Sequence, residues 1–290
     1  MFQFSQYRTP PDLQGWIRLI WALTADGTSD DSPEEKSGDG AELVVPDGHP
    51  ELIFNLGDPF AQRAPGQDTF RLQPAAILNG QLRASMMLRA TGRVQLVGIR
   101  LQPWALGALT RTPASRLSDQ WIAVGDAGSR LLPDLADALA HCQSHAEAFH
   151  TVVAHLRTQL GRTQLPPQRL MSVVSHLSQN ATVLDLSVIR NNAGLSERVM
   201  QRMFENDVGL TPKQLAKITR IQHAVRARRE TAHGTWARAA LDAGYYDQSH
   251  FNKDFRAIVG CTPTELIVEH GSLTGSLLDP SDNLQQGSNN

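Results

Sequence analysis

The chain has 290 residues, 41% of them hydrophobic, and only two cysteines, Cys142 and Cys261. That is enough apolar material for two domains and too little cysteine for a disulfide framework or a Cys/His zinc cluster. The net charge of -2 hides a division, with -3 over residues 1–165 and +3 over residues 166–270, which points to different partners for the two parts.

In chain order, the start MFQFSQYRTP has no basic stretch followed by an apolar core, and no apolar run reaches the ~20 residues of a membrane span. A cytoplasmic protein without a membrane partner is expected. Thr24 to Gly40 is polar and acidic without periodicity and reads as a mobile loop. ELIFNLG (Glu51–Gly57) and RVQLVGIRL (Arg93–Leu101) alternate or run apolar over strand lengths, bounded by turn residues, so the front half reads as α+β. Trp16, Trp21, Trp104 and Trp121 serve either a core or a pocket, and His49 with Glu51 either a turn and strand or a metal. The bland reading is the stronger in each case, and no metal or cofactor is expected.

Leu131 to Gly161 reads as helical, with Leu135, Leu139 and Cys142 on one stripe and Phe149, Val153, Leu156 and Leu160 on the next. The second stripe is a candidate homodimer face unless it packs on its own domain. LPPQ (Leu165–Gln168) then breaks the pattern, which places a domain boundary near Pro166. The expected domains are therefore 1–165, 166–270 and a disordered tail, 271–290.

Beyond that boundary the chain repeats itself: VGLTP at Val208–Pro212 returns fifty-one residues later as VGCTP at Val259–Pro263. Ahead of each copy stands a short helix, capped by Asp185 or Thr235 and ending at Gly194 or Gly244. A turn and a second helix follow, the plan of a helix-turn-helix. With Met200 and Phe204 turned inward at 100° per residue, Arg198, Gln201, Arg202 and Glu205 face out. With Phe251 and Phe255 inward, Ser249, Asn252, Lys253 and Arg256 face out, and Gln248 sits at the tip. Such groups donate to base edges and phosphates. Between the copies, Lys213 to Glu230 reads as a basic linker helix of ~27 Å, close to the ~34 Å that separates successive major-groove faces. Lys217 and Arg228 on it are candidate phosphate contacts. The fold expected is an α+β N-terminal domain followed by an all-α domain of two helix-turn-helix units joined by a linker helix.

The run from Leu195 to Phe204, VGLTP, and GYYDQSHFNKDFRAIVGCTP resemble the DNA-binding domain of the AraC/XylS family of bacterial transcription regulators, over roughly Pro166 to His270. The resemblance implies a sequence-specific regulator, an activator or a repressor, working with RNA polymerase on double-stranded DNA. It assigns base reading to Arg198, Gln201 and Arg202 in the first recognition helix and to Gln248, Ser249 and Lys253 in the second. Arg190 departs from the pattern, standing where the family has a small residue. The front half resembles more weakly an N-terminal domain of one branch of the family, through Val44–Gly57 and Val97–Trp104. That implies dimerisation or a small-molecule effector.

The competing reading is a DNA-repair methyl acceptor, or another N-terminal enzyme, fused to the same reading heads. A methyl acceptor needs a reactive cysteine in an electropositive setting, which neither Cys142 nor Cys261 offers in sequence. An architectural protein binding DNA without preference would have no use for Gln, Asn and Arg at base-reading positions.

Overall fold

The computed structural model describes residues 3–25, 41–64, 66–110, 112–126, 133–161, 163–179, 185–230, 234–266 and 284–285. Its strands are β1 (Gln3–Tyr7), β2 (Ile17–Ala25), β3 (Ala41–Val44), β4 (Glu51–Asn55), β5 (Phe60–Arg63), β6 (Arg71–Leu72), β7 (Ala76–Asn79), β8 (Met86–Ala90), β9 (Val94–Leu101), β10 (Trp121–Ala123) and β11 (Leu284–Gln285). They form one sheet in the order β10-β7-β4-β9-β2-β1-β11 and another in the order β3-β8-β5-β6. All pairings are antiparallel except β1 with β11.

Period-two alternation gives the larger sheet two apolar faces. Ile20, Ala22, Val97, Ile99 and Leu101 pack with the front-half helices, while Leu19, Trp21, Leu23 and Leu96 pack with Phe60, Met86 and Leu88 of the smaller sheet. The larger sheet is thus the middle of three layers, which is why β2 and β9 read as nearly continuous apolar runs.

The helices of the front half are α1 (Ala105–Leu109), α2 (Pro133–Ala140) and α3 (His145–Leu160). The single helical segment expected over 131–161 is two helices. Ser144 opens the second of them by accepting a hydrogen bond from the Glu147 amide, while the Glu147 carboxylate accepts one from the Gln143 amide. The stripe offered as a dimer face is corrected as well. Val153, Leu156 and Leu160 are buried in the chain's own core, and Phe149 stacks on Tyr7 with ring centroids 4.8 Å apart. The periodicity identified an apolar face, and the larger sheet covers it.

The helical half comprises α4 (Gln168–Gln179), α5 (Leu186–Asn192), α6 (Glu197–Met203), α7 (Pro212–Glu230), α8 (Trp236–Asp242) and α9 (Gln248–Val259). One π turn, Phe204–Val208, extends α6. This is the α+β followed by all-α architecture, with α7 as the linker helix. Residues 26–40 lie outside the described residues, as does the expected tail apart from the two residues of β11.

Candidate nucleic-acid interface

The repeat in the sequence is a repeat in space. Helices α5 and α8 both span seven residues, fifty apart in number, and each has the expected side-chain cap, Asp185 accepting from the Ser187 amide and Thr235 from the Arg238 amide. Gly194 and Gly244 come next at φ 62° and 78°, the left-handed turn that glycine reaches without strain. The recognition helices start at Ser196 and Asp247, whose side chains accept from the Val199 and His250 amides.

The two VGxTP stretches do the same work twice. Gly209 and Gly260 sit at φ 88° and end their helices in the left-handed conformation. Thr211 and Thr262 then open the next turn, their amides donating to the Gln214 and Glu265 side chains at 2.8 and 2.7 Å. Each stretch therefore stops a recognition helix and starts the succeeding turn at a fixed angle.

Outward faces agree with the helical wheel. Arg198, Gln201 and Arg202 are exposed on α6, and Gln248, Ser249, Asn252, Lys253 and Arg256 on α9, while Met200, Phe204, Phe251 and Phe255 are buried. Arg190, half-buried on α5, puts one guanidinium nitrogen 3.4 Å from Glu197. In the second copy the equivalent position is Ala240, 1% exposed. The first head thus joins its two helices through an ion pair where the second uses close apolar packing.

On the linker helix, Arg228 is half-buried and Lys217 is turned inward. Lys217 Nζ lies 2.6 Å from Asp254 Oδ1, and Arg220 and His250 stand 3.8 and 3.6 Å from Oδ2. Asp254 is buried on the inner stripe of α9 beside Phe251 and Phe255, so this cluster fixes the second recognition helix against α7. The wheel that placed those phenylalanines inward also placed Asp254 there, and a carboxylate on an apolar stripe signals a basic partner.

A feature that local pattern could not reveal is where the front half touches these heads. Ser118 Oγ donates to the Gly209 carbonyl at 2.6 Å, and the Ser85 amide donates to the Ile258 carbonyl at 2.8 Å. Those acceptors lie at the ends of the first and second recognition helices. Gln222 of α7 donates to the Pro46 carbonyl at 2.6 Å, and Val45 and Trp104 join the apolar core of the helical half. A Cβ on Gly107 would run into the Asn206 carbonyl oxygen, and one on Gly48 would come within 2.8 Å of Leu215 Cδ1. The contact is one of closely fitted backbones.

Of the tryptophans, Trp16, Trp21 and Trp104 are core residues, Trp121 is half-buried on the edge strand β10, and Trp21 also lines a cavity between the sheets. His49 and Glu51 each have protein partners: His49 Nδ1 is bonded to the Leu101 carbonyl, and Glu51 Oε1 accepts from Trp21 Nε1 and Arg100 Nε. No cluster of three or more His, Cys, Asp or Glu side chains arranged for a metal occurs among the described residues. Burial, reinforced by Glu265, pushes the Cys261 thiol up from its ordinary value, the opposite of what a methyl acceptor needs.

Residues 190–267 match a family model described as a helix-turn-helix domain, and residues 5–123 match one described as a domain of unknown function, DUF6597. Among curated proteins no sequence matches the chain. A solved structure of ToxT from Vibrio cholerae is 9% identical, with 91% of this chain and 97% of that one covered, at a TM-score of 0.44. The AraC-like transcriptional activator CuxR is 12% identical over 84% of this chain and 88% of its own, at 0.24. Streptomyces albus HEPD is 13% identical over 52% and 26%, at 0.20. Likenesses of this size assign neither ligand nor reaction to this chain.

Proposed function

We propose, from the AraC-type helix-turn-helix domain that forms the C-terminal part of this chain, that the protein is a sequence-specific transcription regulator whose α6 and α9 read two adjacent major-groove segments of one DNA site. One observation carries this reading: two recognition helices with equivalent caps and equivalent stops, one before and one after a single linker helix in the chain, present exposed Arg, Gln, Asn and Lys. Nineteen residues of α7 give it a length of ~28 Å, suited to neighbouring grooves on one side of a duplex. On α6, Arg198, Gln201 and Arg202 take the base edges. On α9 that role falls to Gln248, Ser249, Asn252 and Lys253, with Arg256 on the backbone. Arg228 is left as the linker's phosphate contact, because Lys217 is engaged by Asp254.

In this reading the boundary between the parts falls near Pro166, and residues 1–165 regulate the heads they touch. The protein acts in the cytoplasm with RNA polymerase as its protein partner. A methyl acceptor at Cys261 is disfavoured by the environment of that thiol.

Since both heads belong to one chain, the site is expected to be asymmetric, with two protected segments about 10 bp apart. Hydroxyl-radical footprinting of the full chain on a selected site checks this. Palindromic half-sites that each require a separate chain would overturn it.

A further inference from the structure

Between the two sheets of the front half lies a cavity of about 50 Å³, partly open to solvent. That is room for a few water-sized positions and so for a group of only a few non-hydrogen atoms. One side is apolar, with Ile53, Phe60, Met86 and Leu96 among its lining, and the other carries Asp47, Glu51 and Arg100. The strand register creates the charged end, because Glu51 of β4 pairs directly with Arg100 of β9.

The charges there do not balance. Arg100 Nε stands 2.8 Å from Glu51 Oε1 and 3.3 Å from Asp47 Oδ2, so one guanidinium serves two carboxylates. His49 adds no charge, since burial holds its pKa below the ordinary value and Nδ1 is engaged by the Leu101 carbonyl. Arg18 bears on His49 from an exposed position. With both carboxylates ionised the partly open site carries one excess negative charge, and a buried excess charge is costly until a proton or a cation neutralises it.

We propose that this cavity binds the head of a small organic ammonium ion, its nitrogen on Glu51 and Asp47 and its alkyl part against Phe60 and Met86, and that occupancy is passed to the linker helix and the second DNA-reading head. The route is short. Val45 and Asp47 of the lining flank Pro46, which Gln222 of α7 holds. Met86 of the lining adjoins Ser85, whose amide and Oγ both donate to the Ile258 carbonyl at the end of α9. A ligand that displaces either wall therefore displaces a contact to the linker helix or to the second recognition helix. The transmission rests on the regulator reading, but the binding does not.

The test uses the full chain and three probes matched in carbon number: n-butylammonium, butyrate and n-butanol. Calorimetry is expected to show saturable binding of butylammonium, tighter than the other two by about tenfold or more. Its affinity rises with pH, because burial raises the Glu51 pKa and only the ionised carboxylate holds the cation. Glu51→Gln keeps the size and an acceptor for Trp21 and is expected to weaken butylammonium about tenfold or more; Asp47→Asn does the same should the first variant fail to fold. Equal or tighter binding of butyrate or butanol, no binding of butylammonium, or binding unchanged in both variants overturns the site. Saturating butylammonium is expected to shift DNA affinity, and binding without any such shift overturns the transmission. Failure to bind DNA at all would sink the regulator reading and leave the calorimetric result standing.

Discussion

Replacing Gly209 with alanine is expected to destabilise the chain by about 3 kcal/mol or more, whereas the same change at Gly260 costs about 1–2 kcal/mol. The two glycines occupy equivalent turns at the same φ of 88°, so the backbone strain of a Cβ is common to both. Their surroundings differ. A Cβ at Gly209 would lie 2.8 Å from the Ala114 carbonyl oxygen and from Ser118 Oγ, while one at Gly260 would meet nothing within 4 Å. Gly209→Ala must therefore also open the contact between the front half and the first recognition helix, including the 2.6 Å bond from Ser118. Urea denaturation of the two variants with an unchanged m-value checks this. Equal losses would mean that the front half does not grip the first turn.

Gly98→Ala is expected to cost about 3 kcal/mol, through overpacking of the layer between the sheets. Gly98 pairs with Trp21 across β9 and β2, and a Cβ there would run into the indole ring. The ring is 2% exposed and tied by Nε1 to Glu51, so moving it aside strains that bond. A double-mutant cycle with Trp21→Leu should show strong coupling, with Gly98→Ala costing about 1–3 kcal/mol less when the indole is absent. Additive losses would show that the glycine serves the strand and not the tryptophan.

Residue order made legible whatever repeats at short range. The caps Asp185 and Thr235, the turns at Gly194 and Gly244, and the inward Phe204, Phe251 and Phe255 come from 3.6-residue periodicity and cap chemistry, and their recurrence at a fixed offset exposed the double helix-turn-helix. The Ser144–Glu147 capping box had the same legibility but stands inside a longer apolar pattern that masks it. Other features depended on distant pairing. Glu51 looks in sequence like a partner for nearby His49, but its partner is Arg100, brought opposite by the β4–β9 register. The stripe on α3 is apolar as its spacing implies, yet periodicity does not say what covers a face. Nor could order alone reveal that Ser85 and Ser118 would reach the ends of the two recognition helices, since those contacts span 173 and 91 residues.

As proposed, the outward faces of α6 and α9 read base sequence. The most direct measurement is titration of the full chain and of Arg202→Ala against a selected duplex and a scrambled one at several salt concentrations. Arg202→Ala is expected to lose ~1–3 kcal/mol on the selected duplex with little change on the scrambled one and an unchanged salt slope. Equal losses on both duplexes, with the slope falling by about one unit, would rule out base reading and leave a charge-driven DNA binder.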